Sequence, residues 1–582
     1  MPSTIKMADL PNVALLKIFQ YQNRFQLKNI SSLVCRKWKL VAEDPLLWRK
    51  ATAVIFPSAE SCTFLSQWVT ALITKGHVKF SFNENCARKL ILEICEIAAE
   101  SMTCLSINGS RNIDGNAILQ ILSHARSIEV LALPSCFGFV EFTSLLRSSA
   151  KFRSIQHLLP NLSDLDIGHT TTGIILNYPI SFLRCLNAIM LQSLGLSGLV
   201  FSTAEEPALL DLLASFRQIR KLDISFTNLS EAFLKDLADL ELCYLDELNV
   251  VGCQNITAAI IEKIFLKFSL LKKMYIKNVK EEMSYVNIFY YISRSNCSLE
   301  YLRFNNSWVQ PNIAKLLQSN LFPQLQRNTS ALSLKKLDLS YCPIGENFLA
   351  LLAANLRVCD SLILASCNIS DSVVLAVCKE FSDLQELDIS RNRKITDLAF
   401  VCSCRYDQIK EVMSAKENQK ITVCKEQCAN ISKMHRMEVL SLSYLTKLTD
   451  VGLMSIPHLE NLRSLSLKGC RALTSTGRVN LYKKLCVLMY LDLSELEVED
   501  MEVQIVTENL NYLTGLNLAG TDITHKSLDL IVINCPLLRN LDILYCENLS
   551  NDEVLGFLKS LGRRLNKFQS TWNIEYELLH VV

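Results

Sequence analysis

A short leucine pattern, L-x-x-L-x-L, recurs through most of this 582-residue chain, with other apolar residues at some of the leucine sites. The copies are evenly spaced, since the middle apolar residues of neighbouring copies lie 25 or 26 positions apart over the last part of the chain. About 17 copies run from Leu105 to Leu541, and Leu565 with Phe568 forms a candidate closing copy. A fixed period of this length is the signature of a stacked array, in which each unit contacts only its neighbours.

One gap in the series is about two repeats long. Leu387 and Leu440, the middle residues of two clear copies, are 53 positions apart. Ile409 and Val412 lie between them with the spacing of a degenerate copy, and Ile421 continues that pattern. We therefore predict an additional repeat between these two copies.

Each copy combines a strand signal with a helix signal. The alternation of apolar and polar residues over L-x-L predicts a short strand with its aliphatic side chains on one face. A Ser or Thr then precedes an acid, as at Thr396-Asp397, and can cap the helix that follows. Between strand and cap comes a Cys or Asn that can meet backbone groups of the turn, at Cys253, Cys342, Cys367, Asn392, Cys470 and Cys546.

This pattern resembles the leucine-rich repeat family, in its cysteine-containing type, over about three quarters of the chain. The resemblance implies an α/β solenoid over residues 101–582, a horseshoe with parallel strands on its concave face and helices on its convex face. One strand and one helix cannot bury a core alone, which is why such units come in arrays. Amphipathic helices with chance leucines would not give the recurring order of Leu, Cys or Asn, Ile and Thr.

Residues 1–50 do not follow the repeat and instead indicate three short helices. Pro11 would lie in the first turn of a helix running through Phe19, where the missing N–H is tolerated. The segment resembles the F-box, so we expect an N-terminal three-helix F-box before the solenoid. The resemblance rests on Leu10-Pro11, Ile18-Phe19, Leu27, Ser32-Leu33-Val34-Cys35-Arg36-Lys37-Trp38, Val41-Ala42 and Asp44-Pro45-Leu46-Leu47-Trp48-Arg49.

In the F-box family these helices bind a Skp-type adaptor, which joins a cullin scaffold. The sequence departs from the family at Gln22, where an aliphatic residue is usual. The alternative is a three-helix cap that only covers the first repeat. The adaptor-binding residues that the resemblance implies are Leu10, Pro11, Ile18, Phe19, Leu27, Val34, Cys35, Trp38 and Trp48.

The stretch between the two modules, residues 51–100, carries a weaker pattern. An amphipathic helix is predicted over residues 87–100, and we expect the whole stretch to be a helical joint between the F-box and the solenoid.

Charge balance excludes two classes of partner for the chain as a whole. Lys and Arg number 60 against 58 Asp and Glu, so the net charge is +2, which argues against binding to nucleic acid or to an acidic membrane. No apolar run reaches the roughly 18 residues of a membrane-spanning helix. The first ten residues lack a basic segment followed by an apolar core, so the 22 cysteines are expected as thiols in the cytoplasm, with the nucleus left open.

The sequence carries no motif of an enzyme active site. It shows no phosphate-binding glycine loop, nucleophile elbow or paired metal-binding histidines, so we expect a non-catalytic protein without a cofactor. Cys402, Cys404, Cys424 and Cys428 could be imagined as zinc ligands, but their spacing fits no strong template. Buried or loop thiols are the favoured interpretation of these four residues.

The strand residues between the aliphatic positions would face outward and form the binding surface of such a solenoid. For any single residue, a solvated strand face is the simpler interpretation. Basic and aromatic residues cluster on two successive repeats, however, and form a candidate substrate site, whereas Glu386, Asp388, Asp492 and Asp542 make the later repeats acidic. The members of the candidate site are Lys273, Tyr275, Lys277, Tyr301 and Arg303.

An F-box joined to leucine-rich repeats resembles the substrate receptors of SCF-type cullin–RING ubiquitin ligases. The resemblance implies that the F-box binds the Skp-type adaptor, that the repeats bind a protein substrate, and that another subunit performs ubiquitin transfer. The alternative is a non-degradative leucine-rich repeat scaffold with a structural F-box, an interpretation that the departure at Gln22 keeps open.

Overall fold

The structure is a computed structural model of the chain. It describes residues 12–19, 35–42, 44–48, 52–55, 65–74, 78–82, 86–136, 138, 141–142, 159–168, 179–184, 186, 190–277, 285–295, 297–305, 334–345, 349, 359–401, 431–561, 565 and 567–570. These residues divide into two compact units, one ending at Leu245 and one beginning at Asp246. None of the helices in these ranges is long and apolar enough to cross a membrane.

Within the described ranges, three short helices open the first unit, Asn12–Phe19, Arg36–Ala42 and Pro45–Trp48. The first two enclose a small core in which Leu15, Phe19, Val41 and Ala42 are buried. Leu16, Trp38 and Leu47 pack against that core and remain partly exposed. The apolar residues at helical spacing in the sequence are therefore the residues that hold this small helical module together.

Parallel strands follow in the first unit, each hydrogen-bonded to the next strand along the chain. Helices alternate with most of them, at Leu65–Thr74, Arg88–Ala98, Gly115–His124, Pro179–Leu183, Glu206–Ser215 and Glu231–Leu237. The strands are Thr52–Ile55 (β1), Lys79–Phe82 (β2), Cys104–Ile107 (β3), Val130–Ala132 (β4), Asp164–Asp166 (β5), Ser193–Gly195 (β6) and Lys221–Asp223 (β7).

The purely helical joint predicted over residues 51–100 needs correction, because β1 and β2 lie in it. Phe80 pairs with Leu105, and both side chains are buried, so this stretch contributes repeat strands as well as helices. The four-residue strand has the sequence K-F-S-F and lacks the leading leucine of L-x-x-L-x-L. Phenylalanines at alternate positions fill the core equally well, since what the strand requires is apolar side chains on one face.

The second unit has the same architecture. Its helices are Ala258–Lys267, Tyr285–Arg294, Asp371–Glu380, Asp450–Leu453, Ser475–Tyr482, Asp500–Asn509, His525–Asn534 and Asn551–Leu561, with 3₁₀ turns at Asp397–Ala399, Ile431–Lys433 and Ile456–His458. Its parallel strands are Glu247–Asn249 (β8), Lys273–Lys277 (β9), Tyr301–Asn305 (β10), Lys336–Asp338 (β11), Ser361–Ile363 (β12), Glu386–Asp388 (β13), Val439–Ser441 (β14), Ser464–Ser466 (β15), Tyr490–Asp492 (β16), Gly515–Asn517 (β17), Asn540–Ile543 (β18) and Lys567–Ser570 (β19).

Register within this unit follows the period of the sequence. The middle apolar residues of successive strands are direct partners, and all of them are buried. A shift by one residue would turn this whole row toward solvent, so the apolar pattern fixes the register. The row comprises Leu337, Leu362, Leu387, Leu440, Leu465, Leu491, Leu516 and Leu541. The predicted α/β fold with parallel strands is thereby confirmed.

The additional repeat predicted between Leu387 and Leu440 is wrong as a member of the ladder. β13 pairs directly with β14, so no strand from the intervening segment lies between them. Ile409, Val412 and Ile421 lie outside the described residues, as do Cys402, Cys404, Cys424 and Cys428. The period alone could not distinguish a degenerate repeat from a long insertion, because both place two clear copies about two periods apart.

The Cys or Asn after each strand has the backbone role that its position predicts. The thiol of Cys367 donates to the Leu339 carbonyl (3.0 Å), and that of Cys470 donates to the Leu442 carbonyl (3.0 Å). Asn392 uses its amide to reach the Leu364 carbonyl (2.9 Å). Burial raises the pKa of the Cys470 thiol to about 12, so it is a neutral donor at physiological pH.

The acid next to each helix cap has a second role that the sequence did not reveal. Asp371 accepts hydrogen bonds from the backbone N–H and the hydroxyl of Thr396 in the next repeat (both 2.6 Å). Asp500 makes the same two bonds to Thr524, at 2.9 and 2.6 Å. The capping threonine thus bonds forward to its own helix or turn and backward to the previous repeat, which couples adjacent repeats.

Asp397 shows this inter-repeat contact most completely. Its side chain is buried, and one carboxylate oxygen accepts from the N–H groups of Thr449 (2.8 Å) and Gly452 (3.2 Å). The other oxygen accepts from the Thr449 hydroxyl (2.6 Å). The bonds link positions 52 and 55 residues apart in the sequence. This one carboxylate therefore joins the repeat of β13 to the repeat of β14, which are neighbours in space despite the long segment between them.

Replacement of Asp397 by alanine should lower the free energy of unfolding by about 3 kcal/mol, because it removes the acceptor of buried N–H groups. Denaturation in urea measures the loss, and hydrogen exchange should show faster exchange at Thr449 and Gly452. Asp383→Ala is the matched control, since that side chain is 79% exposed, and its effect should stay within about 0.5 kcal/mol. Equal effects of the two substitutions would contradict the proposed coupling.

Candidate protein-interaction sites

The N-terminal helical module exposes apolar side chains beside its core. Leu40, in the helix Arg36–Ala42, is 70% exposed, and Leu46, in the helix Pro45–Trp48, is 49% exposed. These two exposed aliphatic side chains lie on successive helices and are candidates for contact with a partner. Neither residue was predicted as a contact. Val41 and Ala42 are the buried residues of their helix, and Leu40 precedes them in the sequence, so its side chain points to a different side of the helix.

One of the predicted adaptor contacts, Phe19, belongs to the core of the module instead, and Trp38 packs against it. Phe19 is fully buried, and its ring meets the indole of Trp38 edge-on at a centroid distance of 5.2 Å. The expected direct contact of Phe19 with a partner therefore needs correction, because the ring is needed to pack the two helices. Trp38 is partly exposed, and Cys35 is exposed.

The remaining predicted contacts are described only in part. Ile18 lies in the helix Asn12–Phe19 and Trp48 ends the helix Pro45–Trp48. Leu10, Pro11, Leu27 and Val34 lie outside the described residues.

The five residues of the predicted substrate site do come together, on β9 and β10. Tyr301 pairs with Lys273, Arg303 with Tyr275, and Lys277 with Asn305. The rings of Tyr275 and Tyr301 contact each other at a centroid distance of 5.0 Å with an angle of 47° between their planes. The structure thus places an aromatic pair at the centre of this strand-face cluster, with the cations around it.

The strand-face cluster is less basic than the sequence suggests. Lys273 pairs with Glu247 on the preceding strand (3.3 Å), and Arg303 pairs with Asp338 on the following strand (3.0 Å). Three cations therefore face two carboxylates. Among the described residues Lys277 makes no ion pair, and its ammonium lies 5.9 Å from the centre of the Tyr341 ring. Cross-strand pairing of opposite charges accounts for this compensation, since paired side chains lie about 5 Å apart.

Both tyrosines of the strand-face cluster are held in the neutral form. Burial raises the pKa of Tyr275, and the nearby Glu247 carboxylate raises it further. Burial likewise raises the pKa of Tyr301, with Asp338 adding to the effect. The phenol of Tyr275 donates a hydrogen bond to Glu247 (3.2 Å), which orients the ring.

The acids of the later strands have a local structural role. Asp388 accepts from the N–H of Ser390 (2.9 Å), and Asp492 accepts from the N–H of Ser494 (3.0 Å). Asp542 makes the equivalent bond to the N–H of Leu544 (3.0 Å). Each acid thereby closes the turn that leaves its strand, an arrangement typical of Asx turns. The acidity of these strands follows from the turn and is not by itself a binding signal.

Within the described part of the chain, no group of three or more His, Cys, Asp or Glu side chains could hold a metal ion. The buried thiols of these residues are also poor nucleophiles, because burial raises the pKa of Cys95, Cys359 and Cys378 to about 12 in each case. Their role is in packing.

Residues 7–53 match the family model named F-box-like. No curated protein matches the sequence. Among solved structures, the yeast Rad7–Elc1 complex is similar with 20% identity, over 63% of this chain and 83% of that chain, with a TM-score of 0.38. A leucine-rich repeat protein of Leptospira interrogans is similar with 16% identity, over 79% of this chain and 98% of that chain, with a TM-score of 0.34. An internalin of Listeria monocytogenes is similar with 14% identity, over 74% of this chain and 94% of that chain, with a TM-score of 0.32.

Proposed function

We propose that this chain, which has an F-box-like domain before its leucine-rich repeats, is the substrate-recognition subunit of an SCF-type cullin–RING ubiquitin ligase. The match of residues 7–53 to the F-box-like model carries the proposal. The F-box-like domain binds a Skp-type adaptor and, through it, a cullin. The repeats bind a protein substrate, and the protein itself is non-catalytic.

The described surface of the F-box-like domain supports adaptor binding. Phe19 and Trp38 pack the first helix against the second. Leu40 in the second helix and Leu46 in the third stay exposed. We assign Leu40 and Leu46 as adaptor contacts beside the predicted Cys35 and Trp38.

The strand-face cluster supports the binding of a protein substrate. Its aromatic pair is partly exposed and is fixed by the hydrogen bond from Tyr275 to Glu247. Tyrosines supply a large contact area with little entropy lost on binding. Among the described residues no carboxylate pairs with Lys277, so the cluster favours a substrate segment with an apolar or aromatic residue next to a carboxylate or phosphate.

The mechanism that follows is one of proximity. Simultaneous binding of the adaptor and of the substrate makes the transfer step effectively intramolecular. The catalytic chemistry lies in another subunit, and this chain contributes a high effective concentration of substrate lysines.

Leu40→Glu together with Leu46→Glu should reduce recovery of a co-expressed Skp-type adaptor by about tenfold or more, because two charges would be buried against an apolar partner surface. Co-purification on the tagged full chain measures the recovery. Ile533→Glu is the matched control, since Ile533 is 74% exposed in the helix His525–Asn534, and adaptor recovery should be unchanged. If the double variant is folded by circular dichroism and still recovers the adaptor fully, adaptor binding through this surface is wrong.

Lys277→Glu should weaken substrate capture while adaptor recovery persists, since it reverses the one cation of the strand-face cluster that lacks a carboxylate partner within the described residues. Quantitative proteomics of proteins that accumulate when the chain is depleted, followed by rescue with each variant, measures substrate capture. Lys379→Glu is the control, because that side chain is 73% exposed in the helix Asp371–Glu380. Full rescue by Lys277→Glu would place the substrate site elsewhere.

A further inference from the structure

The turn that leaves each strand continues the hydrogen-bonded ladder beyond the sheet. Arg391 donates its backbone N–H to the Ser443 carbonyl (2.8 Å), and Tyr444 donates to the Lys468 carbonyl (2.7 Å). Glu495 makes the same bond to the Ala519 carbonyl (2.8 Å). Side chains at equivalent turn positions therefore lie in register, about 5 Å apart from one repeat to the next. We call residues 391–394, 444–447, 468–472, 495–498, 520–523 and 545–548 the turn edge.

Charges along the turn edge are segregated by sign. The first three repeats contribute cations and no acid, and the last three contribute acids and no cation. The cations are Arg391, Arg393, Lys394, Lys447, Lys468 and Arg471, and the acids are Glu495, Glu497, Asp522 and Glu547. All of these side chains are exposed except Lys468 and Glu495, which are partly exposed.

Most of these charges lack a partner of opposite sign among the described residues. The ion pair that crosses the turn edge joins Lys468 to Glu495 (3.1 Å), at the boundary between the two halves. Arg393, Lys394 and Lys447 make no ion pair with any described residue. Lys394 and Lys447 occupy equivalent positions of neighbouring repeats, and so do Glu497, Asp522 and Glu547. Like charges at these positions repel each other, so binding of a ligand of opposite charge would relieve that repulsion.

An aromatic side chain, Tyr444, reaches from the basic half to the boundary with the acidic half. The guanidinium of Arg391 lies 4.5 Å from the centre of the Tyr444 ring, and the Tyr444 hydroxyl donates to Glu495 (2.8 Å). The ring covers Gly469, where an added Cβ would lie 2.6 Å from ring carbon Cδ1. Gly469 also has a φ of +62°, so two constraints require glycine at this position.

A left-handed backbone recurs at the equivalent turn position of these repeats. Arg391 and Tyr444 have φ values of 60° and 58°, in the left-handed region that favours glycine. Glycine occupies the equivalent position in other repeats, at Gly469 and Gly520. Glu495 and Tyr545 share the conformation, with φ values of 60° and 59°, so it is a feature of the turn in both halves of the turn edge.

We infer that the turn edge binds an extended protein segment that carries a block of acidic residues followed, in either chain direction, by a block of basic residues. The acidic block lies over Arg391, Lys394 and Lys447, and the basic block lies over Glu497, Asp522 and Glu547. Tyr444 contacts the segment where its charge changes sign. A nucleic acid fits less well, because its uniform negative charge would be attracted by the first three repeats and repelled by the next three.

This inference goes beyond the proposed function and does not depend on it, since no adaptor or ligase takes part in the contact. Two labelled synthetic peptides of identical composition test it on the full chain. One has a block of glutamates followed by a block of lysines, and the other has the same residues in alternating order. Fluorescence anisotropy at low salt should show about tenfold tighter binding of the block peptide, and the difference should shrink as salt rises.

Charge reversal of the basic half should switch the preference. The triple variant Arg393→Glu, Lys394→Glu, Lys447→Glu reverses three of the six cations and leaves Arg391, Lys468 and Arg471 in place. Acids then outnumber cations on the turn edge, so the variant should lose the block peptide and bind an all-lysine peptide instead. The control variant Lys267→Glu, Lys484→Glu, Lys559→Glu carries the same change of net charge at exposed positions away from the turn edge. It should bind the block peptide as the native chain does.

Three results would overturn the inference. The first is equal binding of the block and alternating peptides by the native chain. The second is equal loss of block-peptide binding in both triple variants, which would indicate a net-charge effect. The third is tighter binding of single-stranded oligothymidylate than of the block peptide, which would assign the basic half to nucleic acid. Adaptor co-purification is measured separately, so none of these results bears on the proposed function.

Discussion

The hydrogen bond between neighbouring repeats is the interaction on which the fold of this chain depends. One repeat can neither bury its strand aliphatics nor satisfy the polar groups of its turn. Cys367 and Asn392 donate to carbonyls of the preceding repeat, and Asp371 and Asp397 accept from the helix cap of the next one. Apolar burial fixes the register, and these polar contacts couple each repeat to its neighbours on both sides.

Much of this architecture could be predicted from sequence, because stacking imposes the same requirement at every period. The Cys or Asn position was predicted and is confirmed by its hydrogen bonds, and so is the capping role of Thr396 and Thr449. Ser370, which the same pattern predicts as a cap, makes no side-chain hydrogen bond to its helix. The second partner of the capping acid was not predictable, since it lies in another repeat. β2 was missed because phenylalanine replaces leucine in K-F-S-F. The additional repeat predicted in the 53 residues between Leu387 and Leu440 was wrong, because β13 and β14 are direct neighbours.

The candidate sites were harder to predict, for a physical reason. A strand-face residue has neighbours on both adjacent strands, so its effective charge depends on residues far away in sequence. Lys273 and Arg303 appear as free cations in the sequence, and the structure pairs them with Glu247 and Asp338. In the F-box-like domain, Phe19 and Trp38 carry the recognisable pattern because they pack the core, whereas the exposed Leu40 and Leu46 carry no pattern of their own.

Charges are arranged differently on the strand-face cluster and on the turn edge of the second unit. On the strand face, opposite charges on adjacent strands neutralise each other, and an aromatic pair dominates the surface. On the turn edge, like charges occupy successive repeats and cannot neutralise each other. The first arrangement favours recognition by shape and stacking, and the second favours recognition by charge order. A protein with both surfaces can hold a partner by two segments of different chemistry.

Hydrogen exchange of the full chain with and without a purified Skp-type adaptor tests the central claim most directly. The account predicts slower exchange in the helices Arg36–Ala42 and Pro45–Trp48 when the adaptor is present, with exchange in the repeats from β13 to β18 unchanged. Unchanged exchange in both helices at saturating adaptor, or protection confined to the repeats, would contradict a role for the F-box-like domain as the adaptor-binding module.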